Sequence, residues 1–495
     1  MNIKRAKNEI KNALRAYLAR DAFGAYRIPP IRQRPILLMG PPGIGKTQIM
    51  EQIAEETGVG LVSYTLTHHT RQSALGLPFI ETVQLGGVER TVTAYTMSEI
   101  IASVYREMER TGTKEGILFL DEINCISETL TPMMLQFLQC KTFGNQRLPD
   151  GWMVVAAGNP PEYNKSVREF DVVTLDRVKR IDVEEDFAVW KEYAYRRGIH
   201  GAILSYLEIR RDHFYRVEAT ADGLQFVTAR GWEDLSELMQ VYETLDLPVD
   251  RQVVGQYLQL PRVAADFANY LQLYEKYKRV YRVEEILDGA WEKVRASELA
   301  GAAFDEKLGV LGLLLARLAD SAREAYRLDR LTDALHQDLV HIREGEKMLG
   351  TLLDEKQAAL TRRRDAGSTD KDALFTAARE AERLAAFQQA LALEKVPKGQ
   401  AFERLKALFQ EDVQARADAA DRTDRQLANV FAFLDAAIPN SQELVLFATE
   451  LTANYFTSWF IQNFGCEAYF AHNKQLLFDD TRQRLLREIG SAEPD

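Results

Sequence analysis

The sequence is poor in cysteine and has no long apolar run. Its three cysteines, Cys125, Cys140 and Cys466, are odd in number and widely spaced, which gives no disulfide framework and suits a reducing compartment. No stretch approaches the roughly 18 apolar residues that a membrane-spanning helix needs, and the N-terminal residues lack the apolar core of a signal peptide. We therefore expect a cytoplasmic protein without a membrane span.

Positive charge is also in deficit. The 62 Lys and Arg against 73 Asp and Glu give a net charge of -11, which argues against a global binder of nucleic acid or anionic membrane but leaves a local basic channel open. Zinc-ligand spacing is missing too: His68 and His69 are adjacent and point different ways, and Cys466 and His472 have no further ligands at the required spacing. With 495 residues, of which 46% are hydrophobic, the chain has the length for about two to four domains.

A glycine-rich segment carries a specific chemistry. Residues 40–47, GPPGIGKT, match the pattern G-x-x-x-x-G-K-[ST] between an apolar strand-like run and a helix-forming stretch. The glycines allow a tight turn in which several backbone N–H groups point at one phosphate chain, and the start of the helix adds a positive dipole end. Lys46 is expected to reach the β- and γ-phosphates of a nucleotide, and Thr47 to supply a hydroxyl to Mg²⁺. The expected nucleotide-binding residues here are Gly40, Pro41, Pro42, Gly43, Ile44, Gly45, Lys46, Thr47 and Gln48.

A second candidate site follows at residues 116–122, GILFLDE. The apolar residues predict a buried parallel strand, and ligands of such sheets bind beyond the carboxyl ends of the strands. Asp121 is expected to join the Mg²⁺ shell, and Glu122 to orient and deprotonate an attacking water. An acidic pair after an apolar run describes a surface turn equally well, but its combination with the glycine-rich segment favours the catalytic interpretation.

Four further polar residues are candidates for the same chemistry. Asn159 ends the apolar run at 152–158, where a neutral side chain is placed to position a water against the γ-phosphate. Arg177 and Arg180 adjoin a short predicted strand, and either is a candidate for an arginine donated across a subunit boundary to stabilise transition-state charge. The alternative for each arginine is a surface ion pair. Arg230 lies where a loop enters a helix, a position from which a lid reaches a nucleotide.

Strands and helices are expected to alternate around these sites. Two β-like runs that flank a Gly-Gly pair predict a hairpin at 79–93 inside an otherwise helical stretch. Residues 26–31, apolar and proline-stiffened, either line an adenine pocket or form a linker. The pattern from 184 to 282 is helical.

The part of the chain from residue 290 onward is strongly helical. Leucine or isoleucine recurs every seven residues from Leu328 to Leu349, whereas the companion row containing Asp338 and Gly345 is broken. This favours a long helix packed antiparallel in a hairpin over a free coiled coil. A helix rich in aromatic residues is expected at 443–464. We expect this helical arm to carry specificity for a partner or substrate.

The ordered set of motifs resembles the AAA+ ATPases and, within them, the MoxR family. The motifs in chain order are GPPGIGKT, ILFLDEIN, VVAAGNPPE, LDRVKR and TARGWEDL. The hairpin at 79–93 lies where this clade carries its helix-2 insert. The roles implied by the resemblance are Walker B for Asp121 and Glu122, sensor 1 for Asn159, arginine finger for Arg177 with Arg180 as a second candidate, and sensor 2 for Arg230.

The resemblance covers roughly residues 25–285 and implies an α/β fold, with an AAA+ P-loop NTPase core containing a parallel sheet at 1–183 and an α-helical lid at 184–285. The helical remainder, 286–495, is expected to form a long all-α C-terminal domain. The family implies an ATPase that uses ATP and Mg²⁺, assembles as a hexameric ring and remodels a protein, often with a partner that contains a von Willebrand factor A domain. Competing interpretations are a nucleic-acid-associated motor, which the acidic charge disfavours, and a nucleotide-gated scaffold.

Overall fold

The chain folds into two compact units. A computed structural model describes residues 1–68, 76–143, 146–163, 167, 170–220, 223–345, 347–365 and 370–472, so that His69 lies outside the described residues. The first unit comprises Met1–Val189 and Thr228–Gly231, and the second comprises Trp190–Val227 and the residues from Trp232 onward. The domain boundaries expected at 183 and 285 stay a prediction.

The first unit is built around a parallel sheet. Its strands are β1 (Ile36–Met39), β2 (Gly60–Thr65), β3 (Pro78–Leu85), β4 (Val88–Tyr95), β5 (Gly116–Asp121), β6 (Thr142–Phe143), β7 (Gln146–Arg147), β8 (Trp152–Gly158) and β9 (Lys179–Asp182). Five of these strands form one parallel sheet in the order β2-β5-β8-β1-β9. The inner strands are apolar along nearly their whole length because both faces of the sheet are covered. The predicted α/β core with a parallel sheet is confirmed.

Helices cover the two faces of this sheet. They are α1 (Ile3–Leu18), α2 (Lys46–Thr57), α3 (Glu99–Thr111), α4 (Thr131–Cys140) and the short α5 (Val172–Leu175). Ile117 and Phe119 of β5 pack with residues of α1 and α2, whereas Leu118 and Leu120 pack with residues of α3 and α4. This alternation follows from the period of two in a strand. With both faces closed, polar side chains that follow the strands collect at the carboxyl edge of the sheet.

Strands β3 and β4 form a separate antiparallel hairpin. The register pairs Pro78 with Tyr95 and Leu85 with Val88. The two turn residues, Gly86 and Gly87, have φ of 65° and 82°, the left-handed conformation that such a two-residue turn requires and that glycine adopts at little cost. The hairpin predicted at 79–93 is confirmed.

The second unit is mostly helical. Its helices are α6 (Phe187–Arg197), α7 (Gly201–Ile209), α8 (Ala229–Thr244), α9 (Arg251–Tyr257), α10 (Pro261–Tyr281), α11 (Val283–Leu287), α12 (Lys293–Gly301), α13 (Phe304–Arg343), α14 (Leu349–Asp365), α15 (Lys371–Leu393), α16 (Ala401–Ala437), α17 (Gln442–Ala453) and α18 (Tyr455–Phe464). The first residues of α6 and α8 group with the first unit. None of the helices described combines the length and apolarity needed to cross a bilayer.

A strand pair interrupts these helices. Strand β10 (Arg216–Thr220) pairs antiparallel with β11 (Gly223–Val227), so the expectation of a helical pattern at 184–282 is wrong in this segment. Each strand has only five residues. A period of two over so few residues is a weak signal against a helical background.

The longest helices of this unit, α13 and α16, run antiparallel. Arg416 pairs with Asp329 at 2.8 Å, and Arg422 pairs with Glu324 at 3.3 Å. Because the residue number on α13 falls as the residue number on α16 rises, the two helices run in opposite directions. Helix α13 ends before Leu349, which begins α14, so the seven-residue row does not lie on a single helix.

The aromatic-rich helix expected at 443–464 is divided in two at Asn454. The Asn454 side-chain oxygen accepts hydrogen bonds from the backbone N–H groups of Phe456 and Thr457. Asparagine is a favoured N-cap because its side chain satisfies N–H groups that have no partner within the helix. The cap therefore ends α17 and starts α18.

Candidate functional site

The glycine-rich segment forms a tightly packed turn between β1 and α2. Gly43 and Gly45 have φ of 74° and 90°, a conformation that suits glycine. A Cβ atom at Gly40 would lie 2.8 Å from the carbonyl oxygen of Val183, so a side chain there would displace the backbone. Helix α2 begins at Lys46, and the first N–H groups of a helix have no partner within it. The segment therefore has the form of an anion-binding helix N-terminus.

The other residues of the segment pack around this turn. A Cβ atom added at Gly40 would lie 3.0 Å from Ile44 Cδ1, and one added at Gly45 would lie 3.2 Å from Gln48 Oε1. Pro42 is half-buried. The turn therefore has little room for side chains at Gly40 and Gly45.

Lys46 is buried against the same turn. The residue is 8% exposed. Its ammonium Nζ donates to the carbonyl oxygens of Gly40 and Pro41 at 2.8 Å each, and to Asn159 Oδ1 at 2.8 Å. All three donors of the ammonium thus have an acceptor. The contact with Asn159 joins the glycine-rich segment to the end of β8.

The charges around Lys46 shift its titration. Burial lowers the pKa of the Lys46 ammonium to about 8. The Asp121 and Glu122 carboxylates oppose this shift by raising the pKa, whereas the Arg230 guanidinium adds to the lowering. Two carboxylates and two cations are therefore concentrated around one buried point.

Asp121 and Thr47 meet at the carboxyl end of β5. Thr47 Oγ1 donates to Asp121 Oδ2 at 3.1 Å, and the other carboxylate oxygen accepts the backbone N–H of Glu122 at 2.9 Å. A hydroxyl and a carboxylate are the hard oxygen ligands that Mg²⁺ takes. Glu122 has φ of 57°, a left-handed conformation that non-glycine residues rarely adopt, and the chain turns sharply away from the strand here.

Asn159 directly follows β8 and contacts two parts of the site. Its side-chain oxygen accepts from Lys46, and its carbonyl oxygen accepts from Asn124 Nδ2 at 2.7 Å. Asn124 is 3% exposed. Sequence reasoning gives Asn124 no role of its own. The sequence did contain one indication of a role for Asn124. It is a polar residue two positions after Glu122, between Ile123 and Ile126, which are both buried.

Arg230 lies beside the glycine-rich segment. A Cβ atom at Gly43 would lie 3.0 Å from Thr228 Oγ1 and 3.4 Å from Arg230 Cβ. The Arg230 side chain is exposed, and its charge acts on Lys46 as described above. The structure therefore brings Arg230 together with Lys46, although 184 positions separate them in sequence (230 − 46).

A known domain family matches the part of the chain that forms this site. Residues 36–176 match the family model AAA, the ATPase family associated with various cellular activities. These residues form an AAA ATPase domain. No curated protein sequence matches the chain. The AAA domain contains Lys46, Thr47, the acidic pair and Asn159, and its match ends just before Arg177. ATP binding and hydrolysis are the general properties of this domain.

The two arginines that follow the AAA domain differ in their surroundings. Arg180 donates from Nε to Asp182 Oδ1 at 2.8 Å and Oδ2 at 3.2 Å. Arg177 is exposed, and in the described part of the chain no hydrogen bond or salt bridge holds its guanidinium. Within those same residues, neither arginine bonds to Lys46 or Asp121. The structure does not bring them into the site of their own chain.

The second unit contains a cavity of 630 Å³. None of the predicted site residues lines it. Three of its charged side chains pair with one another: Lys191 Nζ donates to Glu208 Oε2 and to Glu450 Oε1, each at 2.6 Å. The AAA domain is the better candidate site, because the predicted polar groups converge on one turn there.

Proposed function

We propose that the chain is a MoxR-like AAA+ protein that hydrolyses ATP in a ring of identical subunits and remodels a protein partner. The observation that carries the proposal is the convergence of Lys46, Thr47, Asp121 and Asn159, which come from three separate strand ends. These are the residue types that hold a nucleoside triphosphate with its metal and position a water. The resemblance of the ordered motifs supports the MoxR assignment and the hexameric ring, and the few, widely spaced cysteines and the lack of a long apolar run support a cytoplasmic location.

The residues present fit ATP and Mg²⁺. The turn at Gly40 to Gly45 is shaped by glycines in positions where a side chain would collide or be strained, which lets backbone N–H groups approach a phosphate chain. Thr47 and Asp121 would hold Mg²⁺. Among the described residues no three His, Cys, Asp or Glu side chains cluster as metal ligands. A metal held by few protein groups together with substrate phosphates is the usual arrangement for Mg²⁺.

Each residue then has a defined task in hydrolysis. Lys46 exchanges the carbonyl oxygens of Gly40 and Pro41 for phosphate oxygens. Mg²⁺ held by Thr47 and Asp121 would supply further charge neutralisation at the phosphates. Glu122 accepts a proton from the attacking water. Asn159 orients that water through its side-chain amide. Arg230 adds positive charge beside the phosphates.

Assembly supplies the group that a single chain lacks. An arginine placed by a neighbouring subunit stabilises the charge of the transition state. Arg177 fits this role because it is exposed and held by no bond described above, whereas Arg180 is engaged by Asp182. The helical second unit carries specificity for the partner, and the family resemblance points to a partner with a von Willebrand factor A domain.

The proposal is tested with purified protein and two variants. We expect Glu122→Gln to bind ATP within a few-fold of the wild type but to lower kcat by about 100-fold or more, since it removes the base. Lys46→Ala should instead weaken ATP binding by about tenfold or more, since it removes charge-assisted hydrogen bonds. Glu184→Gln, at a carboxylate that is 79% exposed, is the matched control and should change neither quantity.

The same Glu122→Gln protein serves to capture the partner in the presence of ATP. Turnover stimulated by a captured protein supports the remodelling role. Stimulation by DNA or RNA alone would favour a nucleic-acid motor, and negligible wild-type turnover despite tight binding would favour a scaffold. A wild-type protein with no affinity for ATP would overturn the proposal.

A further inference from the structure

Asn124 is a buried polar residue next to the catalytic groups that the proposed function does not use. It lies in the turn after β5, two positions beyond Glu122. Its Nδ2 donates to the carbonyl oxygen of Asn159 at 2.7 Å, and in the described part of the chain no other donor reaches that oxygen. The residue is 3% exposed, so water does not compete for the bond.

The position of this bond explains why a side chain is needed. The pairing of β8 with β1 ends at Gly158, opposite Met39. Asn159 lies one residue beyond the sheet, and the two residues that follow it are prolines, which have no backbone N–H to donate. The amide of Asn124 therefore holds the backbone of Asn159 at the point where the strand ladder stops.

The surrounding backbone is shaped to accept this side chain. The N–H of Ile123 donates to the carbonyl oxygen of Ala157 at 2.9 Å, which ties the turn after β5 to β8. A Cβ atom at Gly158 would lie 2.6 Å from Asn124 Oδ1 and 2.8 Å from its Cγ. A glycine at 158 thus leaves the space that the Asn124 amide occupies.

The same amide is also imperfectly satisfied. Asn124 Oδ1 is buried and has no hydrogen-bond partner among the described residues. Burial of an unpaired acceptor is unfavourable. If Asn124 served only to stabilise the fold, a partner for both its amide oxygen and its amide nitrogen would be expected. If it serves to hold Asn159, the single bond from its amide nitrogen is sufficient.

We propose that Asn124 is a positioning residue for Asn159. The inference rests on the proposed function, in which the Asn159 side chain orients the attacking water. Asn159 is held at two points, its side chain by Lys46 and its backbone by Asn124. When the ammonium of Lys46 moves to phosphate oxygens, the bond from Asn124 becomes the remaining restraint on the position of Asn159. Catalysis depends on such restraint, because a small misplacement of an orienting group costs rate rather than binding.

The test compares Asn124→Ala with variants that isolate the contact. We expect Asn124→Ala to lower kcat by about 10- to 100-fold while the ATP dissociation constant changes by less than about threefold, because the phosphate-binding turn is untouched. Asn454→Ala is the matched control, since Asn454 is also 3% exposed and only caps a helix. It should lower thermal stability and leave kcat per folded protein unchanged.

A double-mutant cycle separates positioning from a structural role. In an Asn159→Ala background the side chain to be positioned is gone, so adding Asn124→Ala should change kcat by less than about twofold. Gly158→Ala, which pushes on the Asn124 amide from the neighbouring strand, should reproduce the loss of kcat. If Asn124→Ala does not fold, Asn124→Ser keeps a polar group in the turn and carries the same expectation.

Two results are decisive against the inference. If the wild type hydrolyses ATP and folded Asn124→Ala or Asn124→Ser has the same kcat, the inference is overturned but the proposed function is not. A loss of kcat that is equally large in the Asn159→Ala background shows that Asn124 acts independently of Asn159 and also overturns it. Absence of turnover in the wild type overturns the proposed function, and the inference with it.

Discussion

The Lys46 ammonium and the Asn159 side-chain oxygen are joined by a hydrogen bond of 2.8 Å across 113 positions of sequence. The bond connects the phosphate-binding turn to the end of β8. It also keeps a buried cation close to a neutral acceptor rather than a carboxylate. The ammonium is consequently stabilised less than in a buried salt bridge, and burial lowers its pKa to about 8.

The first prediction is that ATP affinity falls as pH rises above 8. A polyanion binds the protonated lysine better than the neutral amine, so binding takes up a proton once Lys46 is deprotonated in the free protein. The dissociation constant should then rise by up to about tenfold per pH unit above the pKa of the free protein. Calorimetric titrations at pH 7.5, 8.5 and 9.5, in buffers of different ionisation enthalpy, measure both the affinity and the proton uptake. A constant affinity over this range would contradict the prediction.

The second prediction separates Arg177 from Arg180. Arg180→Ala should lose only an exposed ion pair with Asp182, which contributes little, and turnover should stay within about twofold. Arg177→Ala should lower turnover by about 10³-fold, as expected for a transition-state arginine, while ATP binding is preserved.

Mixing two inactive variants shows whether Arg177 acts on a neighbour. In a mixed assembly, a subunit with Arg177→Ala keeps Glu122, and an adjacent subunit with Glu122→Gln keeps Arg177. Turnover should therefore reappear at the interface between them. If Arg180→Ala alone is inactive and its mixture with Glu122→Gln recovers turnover, whereas mixtures with Arg177→Ala do not, the role belongs to Arg180 instead.

The third prediction concerns Lys141, a buried cation away from the catalytic groups. Lys141 is 6% exposed, and its ammonium donates to Gln33 Oε1 at 3.3 Å. Burial lowers the pKa of Lys141 to about 8. The unfolded chain thus binds more protons than the folded one between pH 8 and the ordinary lysine pKa of 10.5, and stability rises with pH in that window.

Replacing this cation should stabilise the protein. Lys141→Met should raise the free energy of unfolding at pH 7 by about 1–3 kcal/mol, because the cost of a buried charge disappears. Chemical denaturation at pH 7 and pH 9 should show the gain shrinking at the higher pH. Lys114→Met, at an exposed lysine of the same unit, is the control and should show neither effect. Destabilisation by Lys141→Met at both pH values would mean that the amide contact outweighs the cost of burial.

The convergence of Lys46, Asp121 and Asn159 could be predicted from sequence because it depends on a rule of topology. Each residue follows an apolar run, and the carboxyl ends of parallel strands share one edge. The Asn124 bond could not be predicted in this way. It depends on where the turn after β5 passes relative to the last residue of β8, and a polar residue after an acidic pair is by itself unremarkable.

In the helical second unit, the sequence pattern gave no indication that a charged residue, Asp338, would be buried. The row of residues containing Leu331 and Asp338 is broken in sequence by the aspartate, a residue type that is rarely buried unless it is paired. Both residues are buried. Asp338 is accommodated because Lys356, from the next helix, reaches its carboxylate at 3.0 Å. A partner that arrives from another helix has no signature in the local pattern.

The last prediction follows from this buried group. Lys356 Nζ contacts Asp338 Oδ1 at 3.0 Å and Glu380 Oε1 at 2.6 Å, so two buried carboxylates share one cation. Burial raises the pKa of Glu380, Lys356 lowers it, and the hydrogen bond and charge of Asp338 raise it further. Asp338 Oδ2 is buried and accepts no hydrogen bond while both carboxyl groups are ionised. The raised pKa means that Glu380 keeps its proton to a higher pH than an ordinary glutamate, and the protonated carboxyl group has a hydroxyl to donate to Asp338.

The sign of the pH dependence is then determined. A carboxyl group whose pKa is raised in the folded state contributes stability that is complete below its ordinary value of 4.5 and is lost as pH rises through the folded-state value. Glu380→Gln keeps a donor for Asp338 and removes the titration, so thermal unfolding followed by circular dichroism should show a higher midpoint than the wild type at pH 9 and little difference at pH 4. Glu382→Gln, at a side chain that is 64% exposed, should leave the pH profile unchanged. The prediction is contradicted if Glu380→Gln is less stable than the wild type at pH 9. In that case the ion pair between ionised Glu380 and Lys356 outweighs the repulsion between the two carboxylates.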